Sequence, residues 1–339
     1  MRWQLTWLVL LCSPVVFSQA VQAQSWQVTA GAQSPDKAVQ ALAFLPNEIW
    51  IHAGDSIKWT FPVPEPHTVT FLTPGQVRPT FPAGCPGTTA DGSSFDGSAC
   101  VNSGRITTVG TTYAVKFPNP GNYRLVCLIH VNMTGIVHVL SPGLPLPHDQ
   151  DFYNSQAANQ QHDLLHDRGG GLGDELAEVA HQVTSGEEAT LDAHNDKVVV
   201  GTGEIVSTTG GIQSVSVMRF MQPSITIHAG ETVEWDSSDV SGHTITFGQE
   251  PPSPVTPQTP PSANVSVDPD GARHAVISST SDSVHSGFIA QAAHERTGVA
   301  QAPAGVTRFR VTFKNSGTYP YICAFHDELG MKGEVIVLP

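Results

Sequence analysis

The chain is poor in basic residues and in long apolar runs. Of its 339 residues, 16 are Lys or Arg and 30 are Asp or Glu, which gives a formal net charge of -14 at pH 7. Such an acidic surface disfavours nucleic acid and anionic membranes as partners. Beyond the N-terminus, no apolar stretch approaches the roughly 20 residues that a membrane-spanning helix needs. We therefore expect no nucleic-acid partner and no membrane span in the mature chain.

The one pronounced apolar run lies at the N-terminus, where residues 1–23 have the pattern of a signal peptide. Arg2 supplies a small positive region, a short apolar run extends from Leu5 to Phe17, and Val21-Gln22-Ala23 resembles a cleavage site. The run is too short for a comfortable transmembrane span. The protein is therefore predicted to be exported, to the periplasm or the extracellular space.

Cysteine is also scarce, and Cys12 lies within the predicted signal peptide. Cys85 and Cys100 lie close together in a loop rich in Gly, Ser and Thr. In an oxidising compartment they are expected to form a local disulfide, worth about 3 kcal/mol for a loop of that size. The alternative, two further metal ligands, lacks nearby His or Cys partners. Cys127 and Cys323 remain, each far from any cysteine partner.

An internal repeat organises the rest of the chain. The sequence PNEIWIHAGD at 46–55 returns as PSITIHAGE at 223–231, and PHTVTF at 66–71 returns as GHTITF at 242–247. β-Branched and polar residues alternate between Ala-Gly and Pro-Gly turns, which predicts antiparallel β-sandwiches. The copies are too far apart in sequence for a solenoid, so they are duplicated domains.

The repeat and the composition between its copies define the predicted domain boundaries. The segment between the copies begins with a stiff Pro-rich stretch and continues with helix-forming composition from Gln150 to Leu165, then with a second short helical run from Asp174 to Val183. The predicted order is a signal peptide at 1–23, a first domain at 24–141, a partly helical linker at 142–196 and a second domain at 197–339.

The last strand and loop of each copy contain residues that can bind a metal. The first loop reads CLIHVNM and the second CAFHDELGM, so in each a Cys is followed by a His three residues later and then by a Met. A further His comes from a distant strand. One thiolate, two imidazoles and a weak thioether form the ligand set that suits copper in both oxidation states. The two sets are His67, Cys127, His130 and Met133 in the first copy, and His243, Cys323, His326 and Met331 in the second.

On these motifs both copies resemble the plastocyanin/azurin family of cupredoxins. The second loop has a spacing similar to that of plastocyanin, and the first is similar to the shorter loop of amicyanin. The resemblance implies an all-β fold of two tandem cupredoxin Greek-key β-sandwiches joined by the partly helical linker. It also implies two type 1 copper ions, one held by each ligand set.

The resemblance carries further expectations about the surroundings of the ligands. It implies that Thr68 and Thr244 tie the two ligand loops together. It implies that the second loop His presents its edge to solvent and admits the electron there. The family often has Pro just before that His, and here Ile129 and Phe325 occupy the position. We expect the additional backbone N–H to reach the thiolate and to raise the reduction potential.

Three functions are compatible with such ligand sets. The first is an electron carrier that cycles between Cu(II) and Cu(I), and the alternatives are a copper oxidase or nitrite-reductase-like enzyme and a copper storage or delivery protein. The enzymes need further His, often as His-x-His pairs, and a His directly before the Cys; here Val126 and Ile322 precede the cysteines and no His-x-His occurs. Storage favours Met- or His-rich tracts, and the chain has five Met. A carrier without catalytic activity is therefore predicted.

The two ligand loops differ in charge. The neighbours of His130 are neutral and mainly apolar, whereas Asp327 and Glu328 follow His326. We therefore predict that the first domain docks an apolar partner surface and the second a basic one. Redox proteins, such as a c-type cytochrome or a copper or haem oxidoreductase, are the expected partners. The carboxylates should also lower the reduction potential of the second site.

Overall fold

The computed structural model describes residues 22–79, 85, 87–168, 197–237, 239, 241–252, 255, 259–290 and 306–339. Most of the predicted signal peptide and the second helical run predicted from Asp174 to Val183 lie outside these residues, so both stay predictions. Within the described ranges, no helix is long and apolar enough to cross a membrane.

The first repeat folds into two β-sheets packed face to face. In one sheet the strand order is β2-β1-β4-β8-β6, and in the other it is β3-β10-β9-β5-β7. Strands β3 and β4 bury alternate side chains, as predicted from their sequence alternation. The strands are β1 (Ser25–Gln33), β2 (Val39–Leu45), β3 (Glu48–His52), β4 (Ser56–Thr60), β5 (Thr70–Phe71), β6 (Ser93–Ser94), β7 (Val101–Asn102), β8 (Thr112–Lys116), β9 (Gly121–Val126) and β10 (Thr134–Leu140).

The second repeat has the same plan. One of its sheets follows the order β13-β23-β22-β16-β19, which matches β3-β10-β9-β5-β7 of the first repeat strand for strand. The strands are β11 (Lys197–Thr208), β12 (Gly211–Phe220), β13 (Ser224–His228), β14 (Thr232–Asp236), β15 (Gly242–His243), β16 (Thr246–Phe247), β17 (Ser266–Val267), β18 (Arg273–Ile277), β19 (Val284–His285), β20 (Ile289–Ala290), β21 (Arg308–Phe313), β22 (Gly317–Ile322) and β23 (Lys332–Leu338). The prediction of two β-sandwiches is confirmed.

The sheet of the first domain that contains β2 is joined to the sheet of the second domain that contains β12, which the sequence did not predict. Strand β12 pairs antiparallel with β2, from Ser214 opposite Leu42 to Val217 opposite Val39. In the described residues the result is one 11-stranded sheet that runs through both domains. Small and branched side chains pack around this junction, including Ala41, Ala43, Val215 and Val217. The pairing removes two exposed sheet edges and fixes the orientation of one domain on the other.

The linker contributes a helix, α1 (Gln150–His162), that packs against the first domain. Asp149 caps it by accepting a hydrogen bond from the Phe152 N–H. Tyr153 is fully buried in the core of the first domain, and its hydroxyl accepts a hydrogen bond from the Trp50 N–H at 2.9 Å. A π-helical turn over Asp163–Arg168 then buries Leu164 and Leu165 against the junction of the domains. The helix predicted from Gln150 is confirmed, and it anchors the connection between the domains to the first sandwich.

The predicted disulfide between Cys85 and Cys100 is also present, with their Cα atoms 5.7 Å apart. Both half-cystines are buried. They lie in the segment between β5 and β8, which also contributes Phe95 to the core. The bridge therefore ties this segment to the sandwich beneath it.

Candidate metal centres

The first ligand set is brought together from two distant parts of the first domain, and we call it centre one (His67, Cys127, His130 and Met133). The ligand atoms of its two His and its Cys all lie within 4.8 Å of one another, and all three residues are buried. Nδ1 of His130 lies 3.1 Å from Nδ1 of His67 and 3.9 Å from Sγ of Cys127. The Nδ1 atoms and the sulfur therefore face a common point.

The second ligand set forms the same arrangement, and we call it centre two (His243, Cys323, His326 and Met331). Its two His and its Cys again have ligand atoms within 4.8 Å of one another and are buried. Nδ1 of His326 lies 3.2 Å from Nδ1 of His243. Sγ of Cys323 lies 3.5 Å from Nδ1 of His326 and 3.8 Å from Nδ1 of His243. Thiolate and imidazole ligands in this arrangement fit copper.

The two ligand loops are closed by the same backbone hydrogen bond despite their different lengths. In centre one the Cys127 N–H donates to the Met133 carbonyl at 3.0 Å, and in centre two the Cys323 N–H donates to the Met331 carbonyl at 3.1 Å. The longer loop takes up its extra residues in a 3-10 turn over Asp327–Leu329, which ends in the left-handed conformation at Gly330. Both Met side chains are fully buried. Each predicted axial ligand therefore lies in the interior beside its loop.

Thr68 and Thr244 tie the two ligand segments together, as the resemblance implied. The hydroxyl of Thr68 accepts a hydrogen bond from the Leu128 N–H at 2.8 Å, and that of Thr244 accepts one from the Ala324 N–H at 2.8 Å. The Thr68 and Thr244 N–H groups donate to the sulfurs of the two cysteines, each at 3.4 Å. Both sulfurs therefore accept a hydrogen bond from a segment far from the cysteine in sequence.

The expectation of a sulfur hydrogen bond from Ile129 is wrong. A second N–H does reach the Cys127 sulfur, but it comes from His130, at 3.5 Å. The chain turns tightly after the cysteine, and the turn directs the N–H of the third residue back toward Sγ. For Phe325 the structure shows no such bond within its described residues, where Cys323 receives the N–H of Thr244. Centre one thus has one more donor to its sulfur than centre two.

The ionisation of the side chains favours metal binding. Burial raises the pKa of the Cys127 thiol, but the two His of centre one outweigh it and hold that pKa well below its usual value. Burial also opposes ionisation of Cys323, whose pKa is lowered by the charge of His326 and the hydrogen bond of His243. A thiolate is the form that binds metal. Both cysteines are therefore ready to serve as ligands.

The far edges of the two loop His meet at one carboxylate, Glu65. Its Oε1 lies 3.0 Å from Nε2 of His130, and its Oε2 lies 3.7 Å from Nε2 of His326. Only 2% of Glu65, 6% of His130 and 4% of His326 is exposed. The expectation that these His present an edge to solvent is therefore wrong. Glu65 of the first domain thus covers the far edge of His130 in its own domain and that of His326 in the second.

The protonation of this group follows from its burial and its partners. Burial alone raises the pKa of Glu65, but His326 and His130 reverse the effect and hold it well below its usual value. Burial lowers the pKa of His130, while Cys127 and Glu65 together raise it to about 9. The pKa of His326 is raised well above 6.5, against burial, by Cys323 and Glu65. In the absence of metal, Glu65 is thus a buried carboxylate paired with both rings.

Sequence reasoning missed Glu65. One signal was available, because Glu65 stands between Pro64 and Pro66, two residues before a ligand His, where the second copy has Ser241. A carboxylate at a position that the duplication does not repeat suggests a role between the copies. Its partner His326 in the other domain could not be read from spacing.

A second carboxylate, Asp239, acts on centre two alone. Its Oδ2 lies 2.7 Å from Nε2 of His243 and accepts a short hydrogen bond from the Ser216 hydroxyl. In centre one the residue four positions before the ligand His67 is Val63. Nε2 of His67 is buried and has no hydrogen-bond partner among the described residues. Equivalent His ligands therefore have different partners.

Two glycines make room for these His rings. The pairing register shifts at Gly31 in β1 and at Gly201 in β11, which marks a β-bulge in each strand. Both have φ in the left-handed region, at 80° and 67°. A Cβ at either position would overlap Nε2 of the ligand His beside it, His67 or His243. The bulge is thus a repeated part of each centre that the sequence analysis did not identify.

The chain is similar to several known proteins. The family of copper-binding proteins described as the plastocyanin/azurin family matches residues 32–140 and 206–338. Plastocyanin from Ginkgo biloba is 35% identical over 100 residues, which cover 29% of this chain and 88% of that protein. Among solved structures, oxidised plastocyanin from Dryopteris crassirhizoma is 23% identical, with a TM-score of 0.22, over 42% of this chain and 99% of that one. Amicyanin from Paracoccus versutus is 24% identical, with a TM-score of 0.22, over 36% and 86% of the two chains.

Proposed function

The chain belongs to the plastocyanin/azurin family of copper-binding proteins, and from this membership we propose that it is an exported electron carrier with two type 1 copper sites. The observation that carries the proposal is the buried His, Cys and His cluster beside a buried Met, found once in each domain. The proposed ligands are His67, Cys127, His130 and Met133 in centre one, and His243, Cys323, His326 and Met331 in centre two.

The surroundings of the ligands suit electron transfer. Bound copper supplies a one-electron couple between Cu(II) and Cu(I). The chain's part is to hold the ligands still: strands β9 and β22 lead directly into the cysteines, and the Thr68 and Thr244 hydroxyls bind the ligand loops. Burial keeps water from the ligands. A rigid, dry set of ligands needs little rearrangement when its charge changes.

The oxidase or nitrite-reductase alternative requires a metal position that a substrate can reach. The proposed ligand sets are buried and backed by Met, which suits the exchange of electrons better than the binding of a substrate. A storage role requires release of the metal, whereas three ligands in one short loop and a fourth from a distant segment favour its retention. The carrier is therefore the function that the site geometry supports best.

Export and the nature of the partners belong to the same proposal. The Cys85–Cys100 disulfide supports an oxidising compartment, such as the periplasm or the extracellular space. The acidic chain favours redox partners with basic surfaces, such as a c-type cytochrome. Glu328 is exposed beside centre two and is available to such a partner. Docking over the imidazole edges of His130 and His326 is not part of the proposal, since both are covered.

Copper reconstitution of the mature, metal-free protein tests the function. We expect two equivalents of Cu(II) to bind and to give the intense visible band of a thiolate bound to copper, which ascorbate bleaches reversibly. Binding without this band would contradict the type 1 assignment, and binding of one equivalent would leave only one functional centre. Sustained turnover of nitrite or of a phenol by the loaded protein would favour the enzyme instead.

A further inference from the structure

The rings of the two loop His, His130 and His326, are oriented alike. In each ring Nδ1 faces the other ligands of its own centre, at 3.1 Å in centre one and 3.2 Å in centre two from the Nδ1 of the partner ring. Nε2 of each ring faces away from its centre and toward Glu65. The two rings therefore point at each other across the contact between the domains, with one carboxylate between them.

Glu65 is held in this position by its own chain. Pro64 and Pro66 flank it, and a proline fixes its own φ while restricting the residue before it to extended conformations. Glu65 also lies only two residues before His67, itself a proposed ligand. The side chain is 2% exposed, so no bulk solvent competes for its oxygens. The carboxylate is thus positioned by a stiff segment attached to centre one.

Two arginines hold the ligand loops on either side of this contact. Arg78 donates to the carbonyls of His130 and Val131, at 3.0 and 2.7 Å. Arg219 donates to the Leu329 carbonyl in the loop of centre two at 2.8 Å, and to the Asp36 carbonyl of the first domain at 2.9 Å. The loop of centre two is therefore tied to the first domain as well as to its own.

Burial of Glu65 between His130 and His326 is energetically unfavourable by itself, which suggests that this contact has a function. Burying a carboxylate is unfavourable unless its partners compensate for the lost hydration. The second copy has Ser241 at the matching position, so a cupredoxin domain of this chain forms without such a group. A carboxylate that one copy alone supplies, and that both copies contact, is better explained by a connection between the centres than by the stability of either.

We propose that Glu65 connects the two centres, so that an electron passes from one to the other within a single chain along the His130 ring, the Glu65 carboxylate and the His326 ring. This inference rests on the proposed function. In the step, one centre loses one electron and the other gains it; no bond is formed or broken and no proton is transferred. Partners then need to reach only one centre for both to be reduced or oxidised.

A first test uses the metal-free protein and does not depend on copper. In the 15N-labelled full chain, long-range proton–nitrogen spectra report the Nε2 signals of His130 and His326, which single His→Gln variants assign. The E65Q variant is expected to move both signals, because the carboxylate contacts both rings. If only the His130 signal moves, the bridge between the domains does not exist and the inference is overturned.

A second test measures the electron exchange itself. The copper-loaded protein is reduced by a substoichiometric pulse, and freeze-quench EPR follows how the electron redistributes between the centres; the Cys127→Ser and Cys323→Ser proteins supply the reference spectrum of each. In wild type the redistribution rate should not depend on protein concentration. In E65L it should fall by about tenfold or more, because both charged contacts are lost, and E65Q should lie between the two.

The matched control is E48Q, which alters another carboxylate at the contact between the domains. Glu48 accepts a hydrogen bond from the Thr209 hydroxyl of the second domain at 2.7 Å. This variant should exchange electrons at the wild-type rate. An unchanged rate in E65L with both coppers bound would overturn the inference and leave the carrier function intact. Failure of the wild-type protein to bind copper would instead refute the proposed function, while the metal-free spectra would still test the contact.

Discussion

Centres one and two have the same ligand types in the same order, but their surroundings have diverged. In centre two, the carboxylate of Asp239 contacts the far edge of His243, whereas the matching edge of His67 has no partner among the described residues. In centre one, the sulfur receives two N–H groups, and in centre two the Thr244 N–H is the donor that the structure shows. The duplication preserved the proposed ligands and changed the groups that contact them.

Both differences should affect the reduction potentials of the two centres in the same direction. A carboxylate on the far nitrogen makes an imidazole a stronger electron donor, which stabilises Cu(II) at centre two. An additional N–H on the sulfur weakens the donation from the thiolate, which favours Cu(I) at centre one. Both effects predict that centre two has the lower reduction potential. The order is the one expected from Asp327 and Glu328, but buried groups are less screened by solvent than those two side chains.

The largest effect is expected from removing one centre at a time. Cys127→Ser and Cys323→Ser should each lose one thiolate-to-copper chromophore and retain the other, because each cysteine supplies the sulfur of a single centre. Voltammetry of the two variants should then show a lower potential for the protein that retains centre two. Equal potentials, or the reverse order, would contradict the comparison.

The next effect should be the same in both domains. Gly31→Ala and Gly201→Ala each place a Cβ against the ligand His at a backbone conformation that L-residues avoid. Strain and overlap together should cost about 4 kcal/mol of the free energy of unfolding. Denaturant unfolding of the metal-free variants measures this cost. The matched control is Gly54→Ala, where φ is also positive but the Cβ meets open space; an equal loss there would show that His contact is unimportant.

A third effect should separate the domains by pH. The Thr246 hydroxyl of the second domain lies 2.9 Å from Nδ1 of the buried His285, whereas the matching Thr70 of the first domain donates to Asn102. Burial and, to a smaller extent, the charge of Arg273 together lower the pKa of His285 to about 4. The neutral ring is thus favoured in the fold, so its contribution is full above pH 6.5 and is lost as the pH falls toward 4.

The expected loss of unfolding free energy is on the order of 3 kcal/mol. Hydrogen exchange of the amides in β16 and β19, compared between pH 7 and pH 4, measures it in the metal-free protein. The His285→Asn variant copies the first domain and should remove most of this pH dependence. If β5 and β7 of the first domain lose protection to the same extent, the effect does not come from His285.

The smallest effect concerns the charge beside centre two. Asp239→Asn keeps an oxygen near His243 but removes the negative charge, so the potential of centre two should rise by the equivalent of about 1 kcal/mol. The potential of centre one should not change. The converse variant, Val63→Asp, places a carboxylate at the matching position and should lower the potential of centre one. A rise at both centres after Asp239→Asn would mean that the charge does not act through the ring of His243.

Much of the fold and the ligand sets could be predicted because their signals are local. Cys, His and Met lie within one short loop, and the alternation of side chains predicts the strands. The partners of the ligands were not predicted. Glu65 contacts His326 across 261 positions of the sequence. Asp239 contacts both Ser216 and His243, and the fold alone brings Ser216 to it. The hydrophobic periodicity of the sequence predicts strands and helices but not such long-range contacts.

The sequence by itself determined that each domain is a β-sandwich and that each carries one thiolate, two imidazoles and one thioether, because neighbours along the chain encode turns and ligand loops. The tertiary structure decided where the far edges of those imidazoles point. Pairing of β2 with β12 joins one sheet of each domain and brings the two ligand loops together at Glu65. Register between strands far apart in sequence depends on the packing of both domains at once, and so two centres that are repeats in sequence share one carboxylate in the fold.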